Sequence, residues 1–191
     1  MSRRLCACVV AAGLLSLTFA ARGADLLVNP SFEEPGDQED LAAGWSRWGD
    51  WINRETGWTP IHDGTCLLGY HHWQIEKNGT SGFYQDIENV TPGKTCTFSL
   101  YANADKVADG EQAPVSVEVR LETTVNGEQS TVISKRYEVS ALAGGEEWSK
   151  LSVSAKVPAK TLRALVVITP GDGSKPRGGA IKFDDAKLSV Q

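Results

Sequence analysis

The chain has 191 residues, and its 19 Lys and Arg against 24 Asp and Glu give a formal net charge of −5. This acidic balance, with no basic cluster, argues against nucleic acid and anionic lipid as partners. An aromatic content of 8% is ordinary, but five of the six tryptophans lie between Trp45 and Trp73. That segment is therefore the first place to look for a binding surface.

The first element along the chain reads as an export signal. Two arginines precede an apolar run over residues 5–21, and small residues follow it, which is the pattern of a secretory signal peptide. The run is short for a bilayer span and is followed by polar sequence, so membrane insertion is not expected. We expect residues 1–23 to be removed and residues 24–191 to form one domain in an extracellular or periplasmic compartment.

The remaining sequence predicts β-strands. Apolar and polar residues alternate over residues 115–122 and 151–157, the period of half-buried strands. No segment carries apolar residues at helical spacing for long enough to predict a helix. Further strands are predicted over residues 26–28, 66–70, 83–87, 95–102, 131–139, 162–168 and 181–190.

Turn sequences separate these strands. Asn126 and Gly127 between two alternating runs predict a β-hairpin. In the last strand, residues 181–183 are out of phase with residues 186–190, which predicts a β-bulge. About nine short strands with such turns predict an all-β fold, a two-sheet antiparallel β-sandwich.

Two cysteines, Cys66 and Cys96, remain after removal of the signal peptide. An oxidising compartment favours a disulfide between them. Two buried thiols that pack as small apolar groups are the alternative.

Short motifs recur in order along the mature chain. They are residues 27–33 (LVNPSFE), 44–45 (GW), 62–67 (HDGTCL), 83–87 (FYQDI), 91–95 (TPGKT), 148–159 and 183–188 (FDDAKL). Their order and spacing resemble carbohydrate-binding modules of the family 4, 9 and 22 type, which have a galactose-binding-like jelly roll and are often appended to xylanases and cellulases. The resemblance implies noncatalytic binding of polysaccharide or oligosaccharide. Cys96 stands where these modules usually have a tyrosine.

The resemblance also implies a structural calcium between the first and last strands. The matching positions are the carboxylates of Glu33 and Asp184 and the backbone carbonyls near Asn29, Ser31 and Asp63. A hard cation needs several oxygen ligands, and it would relieve the repulsion between two adjacent carboxylates. A bulge would bring Asp185 into the place of Asp184, and solvated surface charges are the alternative explanation.

A protein that grips a sugar needs flat aromatic rings beside side chains that donate and accept hydrogen bonds. Trp73 is the first choice, because similar modules place a cleft tryptophan at about this distance after the strand predicted over residues 66–70. The predicted ligand-binding residues are Trp73, Tyr70, His71, His72, Gln74, Trp48, Trp51, Trp58, Tyr84 and Gln85.

Packing is the competing explanation for each tryptophan. Trp48, Trp51 and Trp58 lie in a polar stretch and would in that case staple a loop onto the sandwich. Trp45 and Trp148 coincide with recurrent positions of the resembling modules beside core strands, and we assign them to packing.

Two other functions stay open. One is an attachment domain that binds another extracellular protein, which would present a flat apolar patch. The other is a glycan-active enzyme, a hydrolase or a lyase. The candidate proton-transfer groups are Glu55 with Asp50 or Glu76 for hydrolysis, and His71 or His72 with Tyr70 or Tyr84 for a lyase. The sequence has no nucleophile elbow, phosphate loop or zinc motif, so binding without catalysis is favoured.

Overall fold

Alternating apolar and polar residues form ten β-strands over the part of the chain that the structure describes. The computed structural model describes residues 25–49, 52–71, 81–88, 90–104, 116–170 and 180–191. The strands are β1 Ser46–Trp48, β2 Ile52–Thr56, β3 Cys66–His71, β4 Gly82–Glu88, β5 Thr95–Ala104, β6 Ser116–Val125, β7 Glu128–Glu138, β8 Ser149–Lys156, β9 Thr161–Pro170 and β10 Ala180–Val190. A 3-10 turn, Val139–Ala141, follows β7. Within these ranges no helix is long and apolar enough to cross a membrane.

The strands form two five-stranded antiparallel sheets. The front sheet has the order β1-β4-β9-β6-β7, and the back sheet has the order β2-β3-β10-β5-β8. Every strand pair is antiparallel. The predicted all-β, two-sheet sandwich is therefore confirmed.

The core lies between the inner faces of the two sheets. Val119 and Leu121 of β6 and Leu151 and Val153 of β8 point inward and are at most 3% exposed. Their polar neighbours in sequence point outward because side chains alternate along a strand. Each buried side chain of this size stabilises the fold by about 1.5–3 kcal/mol.

An aromatic cluster closes the core near the start of the described chain. The Phe32 ring lies 5.1 Å from the Trp45 ring, and Trp45 stacks on Phe83 at 5.5 Å. Trp45 is 3% exposed, and its indole N–H donates to the backbone carbonyl of Asn29 at 3.1 Å. The assignment of Trp45 to packing is thus confirmed.

Two local predictions are confirmed in detail. Asn126 and Gly127 have φ of 52° and 84°, the left-handed conformation that a tight hairpin turn requires. The pairing of β10 with β5 shifts register between Asp184 and Lys187, and Asp185 has φ of 54°. The bulge changes the phase of the strand so that its apolar residues face the core on both sides of it.

The segments that differ from prediction lie at sheet edges. Residues 26–28 form no strand, although the backbone N–H of Leu26 donates to the carbonyl of Leu188 at 3.0 Å. The polar, Trp-rich stretch between residues 28 and 66, for which no strand was predicted, contains the edge strands β1 and β2 of three and five residues. Strands this short hold too few residues to show a clear alternation.

The expected disulfide is wrong, because Cys66 and Cys96 are both free and buried. Cys66 lies in β3 and Cys96 in β5, and β10 separates these strands in the back sheet. Two strand spacings amount to about 9–10 Å, whereas a disulfide needs Cα atoms within about 7 Å. Burial raises the pKa of the Cys96 thiol, as expected for a small apolar group.

Candidate functional site

A cleft of about 360 Å³ lies on the outer face of the front sheet. Its lining residues are Trp48, Tyr84, Asp86, Arg120, Glu122, Gln129, Arg163, Leu165 and Val167. Leu165 and Val167 of β9 form an apolar strip at the centre, since Val166 and Ile168 point into the core. The volume is at the small end of the roughly 300–1,000 Å³ of ligand pockets.

Two aromatic rings form one wall of the cleft. The Trp48 and Tyr84 rings lie 6.0 Å apart with an interplanar angle of 43°. Trp48 is paired in register with Gly82, and its indole covers that glycine so closely that a Cβ there would overlap the ring. Gly82 therefore determines where the indole sits.

The opposite wall carries Arg120, which two glutamates hold in place. The Nε–H of Arg120 donates to Glu122 at 3.0 Å, and its Nη1 lies 3.5 Å from Glu118. Glu122 also accepts a hydrogen bond from the Gln129 amide. The three residues of β6 face the same side of the sheet because they are spaced by two.

Glu118 is held from the neighbouring strand as well. Its carboxylate accepts a hydrogen bond from the Ser134 hydroxyl at 2.6 Å and lies 3.5 Å from Arg136. Burial acts to raise the pKa of Glu118, but these hydrogen bonds and the Arg120 charge outweigh it, so the pKa lies below its usual value. Glu118 is therefore ionised at neutral pH.

A second ion pair lies at the end of the cleft. Arg163 Nη1 is 3.4 Å from Asp86, and its Nε–H donates to the Thr124 hydroxyl at 3.4 Å. The cleft thus combines an apolar strip, two aromatic rings and a row of fixed polar groups. A sugar ring, with apolar C–H faces bordered by hydroxyls, is complementary to such a surface.

The structure brings together two of the predicted ligand-binding residues, Trp48 and Tyr84, in this cleft. Trp51, His72, Trp73 and Gln74 lie outside the described residues. His71 is the last residue of β3 in the back sheet, opposite Ala180 of β10.

Three of the predicted ligand-binding residues lie away from the cleft. Tyr70 is 2% exposed and belongs to the core. Gln85 is 3% exposed, and its amide binds both the N–H and the carbonyl of Val28, at 2.7 and 2.8 Å. The Trp58 ring packs over Gly69 on the outer face of the back sheet, so it is remote from the cleft.

Sequence reasoning missed most of the polar lining. Asp86, Arg120, Glu122, Gln129 and Arg163 were not among the candidates, although each occupies an outward position of a strand. The only sequence signal was a charged residue at every second position, and this pattern is equally typical of a solvated sheet face.

A second polar site lies where the N-terminal segment meets β10. The Glu33 carboxylate accepts hydrogen bonds from the backbone N–H groups of Thr65 and Cys66, both at 2.9 Å, and from the Thr65 hydroxyl at 2.8 Å. Burial acts to raise the pKa of Glu33, but these hydrogen bonds outweigh it and lower the pKa. A Cβ on Gly64 would overlap the carboxylate, so the glycine permits this approach.

Asp184 of β10 is fully buried. Its carboxylate accepts hydrogen bonds from the backbone N–H groups of His62 and Asp63, both at 3.1 Å, and of Asp185 at 2.7 Å. Burial is the main cause that raises its pKa to about 6, and the Asp185 charge adds to it. His62 Nδ1 lies 3.1 Å from Asp185.

These residues fit the implied calcium in their chemistry. Glu33 and Asp184 both bind the backbone of residues 62–66, and a buried carboxylate with a raised pKa is the group that a cation stabilises. The described residues contain no group of three or more His, Cys, Asp or Glu side chains that could hold a metal ion, so backbone carbonyls would have to complete the shell. The Asn29 carbonyl already accepts two hydrogen bonds, from Phe32 and Trp45, which makes it a poor ligand.

A sequence model described as "Carbohydrate binding domain" matches residues 24–175. No curated protein sequence matches the chain.

Solved structures resemble the chain at low identity. The CBM22-1 xylan-binding domain of Paenibacillus barcinonensis Xyn10C is 18% identical, covers 88% of this chain and 96% of its own, and has a TM-score of 0.57. A cyclase of Fischerella sp. in its apo form is 14% identical, covers 90% and 98%, and has a TM-score of 0.63. The enzymatically active domain of bacteriophage CBA120 tailspike protein 4 is 13% identical over 87% of this chain with a TM-score of 0.58, and this chain spans 21% of its length. At these identities the structural matches show a shared fold.

Proposed function

Because the chain belongs to the carbohydrate-binding domain family, whose match covers residues 24–175, we propose that it binds a polysaccharide or oligosaccharide in the front-sheet cleft without catalysing a reaction. In this proposal residues 1–23 are a signal peptide, and the mature protein acts outside the cytoplasm.

The composition of the cleft is the observation that carries this proposal. Trp48 and Tyr84 offer aromatic surface, and Leu165 and Val167 continue it across the sheet. Across from the rings, the Arg120 guanidinium is held in a fixed position by its carboxylate partners and offers hydrogen-bond donors. Stacking on the rings would supply affinity, and the fixed polar groups would orient the sugar hydroxyls.

Binding without catalysis is favoured by how the acidic groups are used. The carboxylates of the described lining, Asp86 and Glu122, each pair with an arginine. Glu55 lies on the outer face of the back sheet beside Gly69, and Tyr70 is in the core. These members of the candidate catalytic pairs are therefore remote from the cleft, although the cyclase and tailspike likenesses keep the fold compatible with enzymes.

An attachment domain that binds another protein is the second candidate, and the described surface gives it less support. Among the described residues, the one large apolar side chain that is exposed is that of Val28, at 61%. A flat apolar patch would need several such side chains together.

A structural calcium is part of the proposal. Glu33 and Asp184 would supply carboxylate oxygens, with backbone carbonyls near Ser31 and Asp63 completing the shell. The ion would link the N-terminal segment to β10 and neutralise a buried carboxylate.

Binding to a panel of soluble and insoluble polysaccharides tests the function, with Trp48→Ala compared against Trp58→Ala. Both variants lose an indole that covers a glycine, but the two rings lie on opposite sheets. We expect Trp48→Ala to weaken binding at least tenfold and Trp58→Ala to leave it within about twofold. Trp73→Ala and Trp51→Ala test the two predicted tryptophans that lie outside the described residues, in the same assay.

Reducing ends are assayed in parallel, and melting curves verify that each variant folds. New reducing ends, or unsaturated products, would show that the protein cleaves the glycan, and would contradict binding without catalysis. Equal losses in the two tryptophan variants would remove the front-sheet cleft from the proposal. No binding to any glycan by the wild type would favour the attachment function.

A further inference from the structure

Two carboxylates, those of Glu118 and Glu122, hold Arg120 in place and bear on which glycans the cleft accepts. Resting on the proposed function, we infer that Glu118 and Glu122 are specificity-determining residues that bar carboxylate-bearing sugars from the cleft. They do so by cancelling the charge of Arg120 while leaving part of its guanidinium available as a hydrogen-bond donor.

The two carboxylates fix the guanidinium along the strand. Glu122 takes the Nε–H of Arg120 at 3.0 Å, and Glu118 lies 3.5 Å from Nη1. The Nη2 group makes no hydrogen bond to the described residues, and the Arg120 side chain is 23% exposed. The Nη2 donors are thus the part of Arg120 that a ligand can reach.

Both carboxylates are themselves fixed from β7. Ser134 and Arg136 hold Glu118, while Gln129 and the Thr131 hydroxyl, at 3.5 Å, hold Glu122. The Glu118 and Glu122 side chains are only 20% and 12% exposed. They cannot move away from Arg120 without breaking several hydrogen bonds, so their charges stay beside its guanidinium.

The charges of the described lining do not favour an anion. Within the lining, Arg120 and Arg163 are balanced by Glu122 and Asp86, and Glu118 next to Arg120 is balanced by Arg136. A ligand carboxylate that approached Nη2 of Arg120 would also lie close to two of these carboxylates in a half-buried place, where repulsion is stronger than in water. A sugar hydroxyl can accept the same hydrogen bond without bringing a charge.

Arginines in a binding cleft usually suggest a carboxylate or phosphate ligand, because their donors match such groups in pairs. Here the protein's own carboxylates occupy Nε and Nη1, so each donor pair that includes Nη2 has one member already taken. Arg120 is therefore presented as a donor for uncharged hydroxyls, and removing the flanking charges is expected to turn it into an anion site.

The test compares the wild type with the double variant Glu118→Gln/Glu122→Gln. Glutamine keeps an oxygen that accepts from Arg120 but carries no charge. The matched control is Glu146→Gln/Glu147→Gln, which removes two charges from an exposed loop just before β8 of the back sheet. Thermal melting shows whether each variant is folded.

The probes are neutral and anionic polymers that share a backbone. Hydroxyethyl cellulose is paired with carboxymethyl cellulose, methyl-esterified polygalacturonate with its de-esterified form, and unsubstituted xylan with glucuronate-substituted xylan. Affinity electrophoresis or calorimetry gives the ratio of anionic to neutral affinity for each pair, at low and high ionic strength.

We expect the wild type to prefer the neutral member of each pair that it binds. In the double variant the anionic-to-neutral ratio is expected to rise at least roughly tenfold, through a gain that added salt removes. The single variant Glu122→Gln is expected to show a smaller rise. The control variant is expected to keep the wild-type ratio.

An unchanged ratio in a folded double variant that still binds the neutral polymers would overturn this inference and leave the proposed function standing. A double variant that loses neutral binding while it remains folded would also overturn it, since the carboxylates would then be contacts for the glycan. A wild type that binds none of the polymers and no other glycan would instead overturn the proposed function, and this inference with it.

Discussion

The two sheets present outer faces of opposite character, although each has an indole packed over a glycine. On the front sheet Trp48 covers Gly82 at the wall of an open cleft. On the back sheet Trp58 covers Gly69, and the segment that follows it continues across the sheet. The same packing motif thus borders an open cleft on one side and a loop that covers the sheet on the other.

The closure of the back face depends on polar contacts as well as on Trp58. The Lys182 ammonium donates to the Thr59 carbonyl at 2.7 Å. The His62 ring stacks on Tyr101 at 3.8 Å, and the edge of Trp148 approaches His62 at 5.5 Å. A residue on the outer face of a sheet is therefore available to a ligand only where no neighbouring segment covers it.

The largest expected effect concerns Asp184, the buried acid that binds the loop covering the back sheet. The pKa of Asp184 is raised from 3.8 to about 6. Between these two pH values, the folded state therefore holds a proton that the unfolded state has released. In the absence of calcium, the stability that this proton provides is fully present below pH 3.8 and is lost as the pH rises through about 6. The loss amounts to roughly 3 kcal/mol.

Urea unfolding between pH 3.5 and 7 in a chelator measures this loss. Relative to Asp184→Asn, which lacks this proton, the wild type is expected to lose stability as the pH rises through the window. The same pH dependence in the wild type and in Asp184→Asn would contradict the assignment of this pKa to Asp184.

Calcium is expected to stabilise the loop that covers the back sheet and not the front-sheet cleft, because Glu33 and Asp184 bind residues 62–66. At a free concentration of a hundred times its dissociation constant, a bound ion adds about 2.7 kcal/mol to the free energy of unfolding. Calcium titrations followed by thermal melting measure this gain. Glu33→Gln is expected to lose most of it while keeping glycan affinity at saturating calcium, and magnesium serves as the control ion. A melting temperature that ignores calcium would remove the ion from the proposal.

The smallest of these effects tests the comparison of the two glycines directly. Gly82→Ala displaces Trp48 and is expected to weaken glycan binding about tenfold, or about 1.4 kcal/mol. Gly69→Ala displaces Trp58 and is expected to lower the melting temperature with glycan affinity unchanged. Calorimetric titration and melting curves on both variants give the two quantities. A reduced affinity in Gly69→Ala equal to that in Gly82→Ala would break the distinction between the faces.

Much of the fold was predictable because its causes are local. The alternation in β6 and β8, the Asn126–Gly127 turn and the change of phase around Asp185 each follow from a few consecutive residues. The edge strands β1 and β2 were not predicted, since three to five residues give too little periodicity. The disulfide was wrong because spacing along the chain does not reveal that β10 lies between β3 and β5.

The candidate site was predicted only in part. Trp48 and Tyr84, which line the cleft, were predicted because a surface that grips a sugar needs flat aromatic rings. Gln85 was predicted as a hydrogen-bonding residue of the site, whereas its amide bonds to the Val28 backbone. Arg120 and Glu122 were missed because a charged residue on a strand reads as a solvated face until the cleft around it is known.

By itself the sequence determined the sandwich, the hairpin and the bulge, because side-chain alternation and backbone preference act within a few residues. Only the tertiary structure decided which aromatic rings face solvent and which charges meet. Those properties depend on which strands become neighbours and which loop covers a sheet, and these contacts join residues far apart in the chain, as between Trp58 and Gly69 or Lys182 and Thr59.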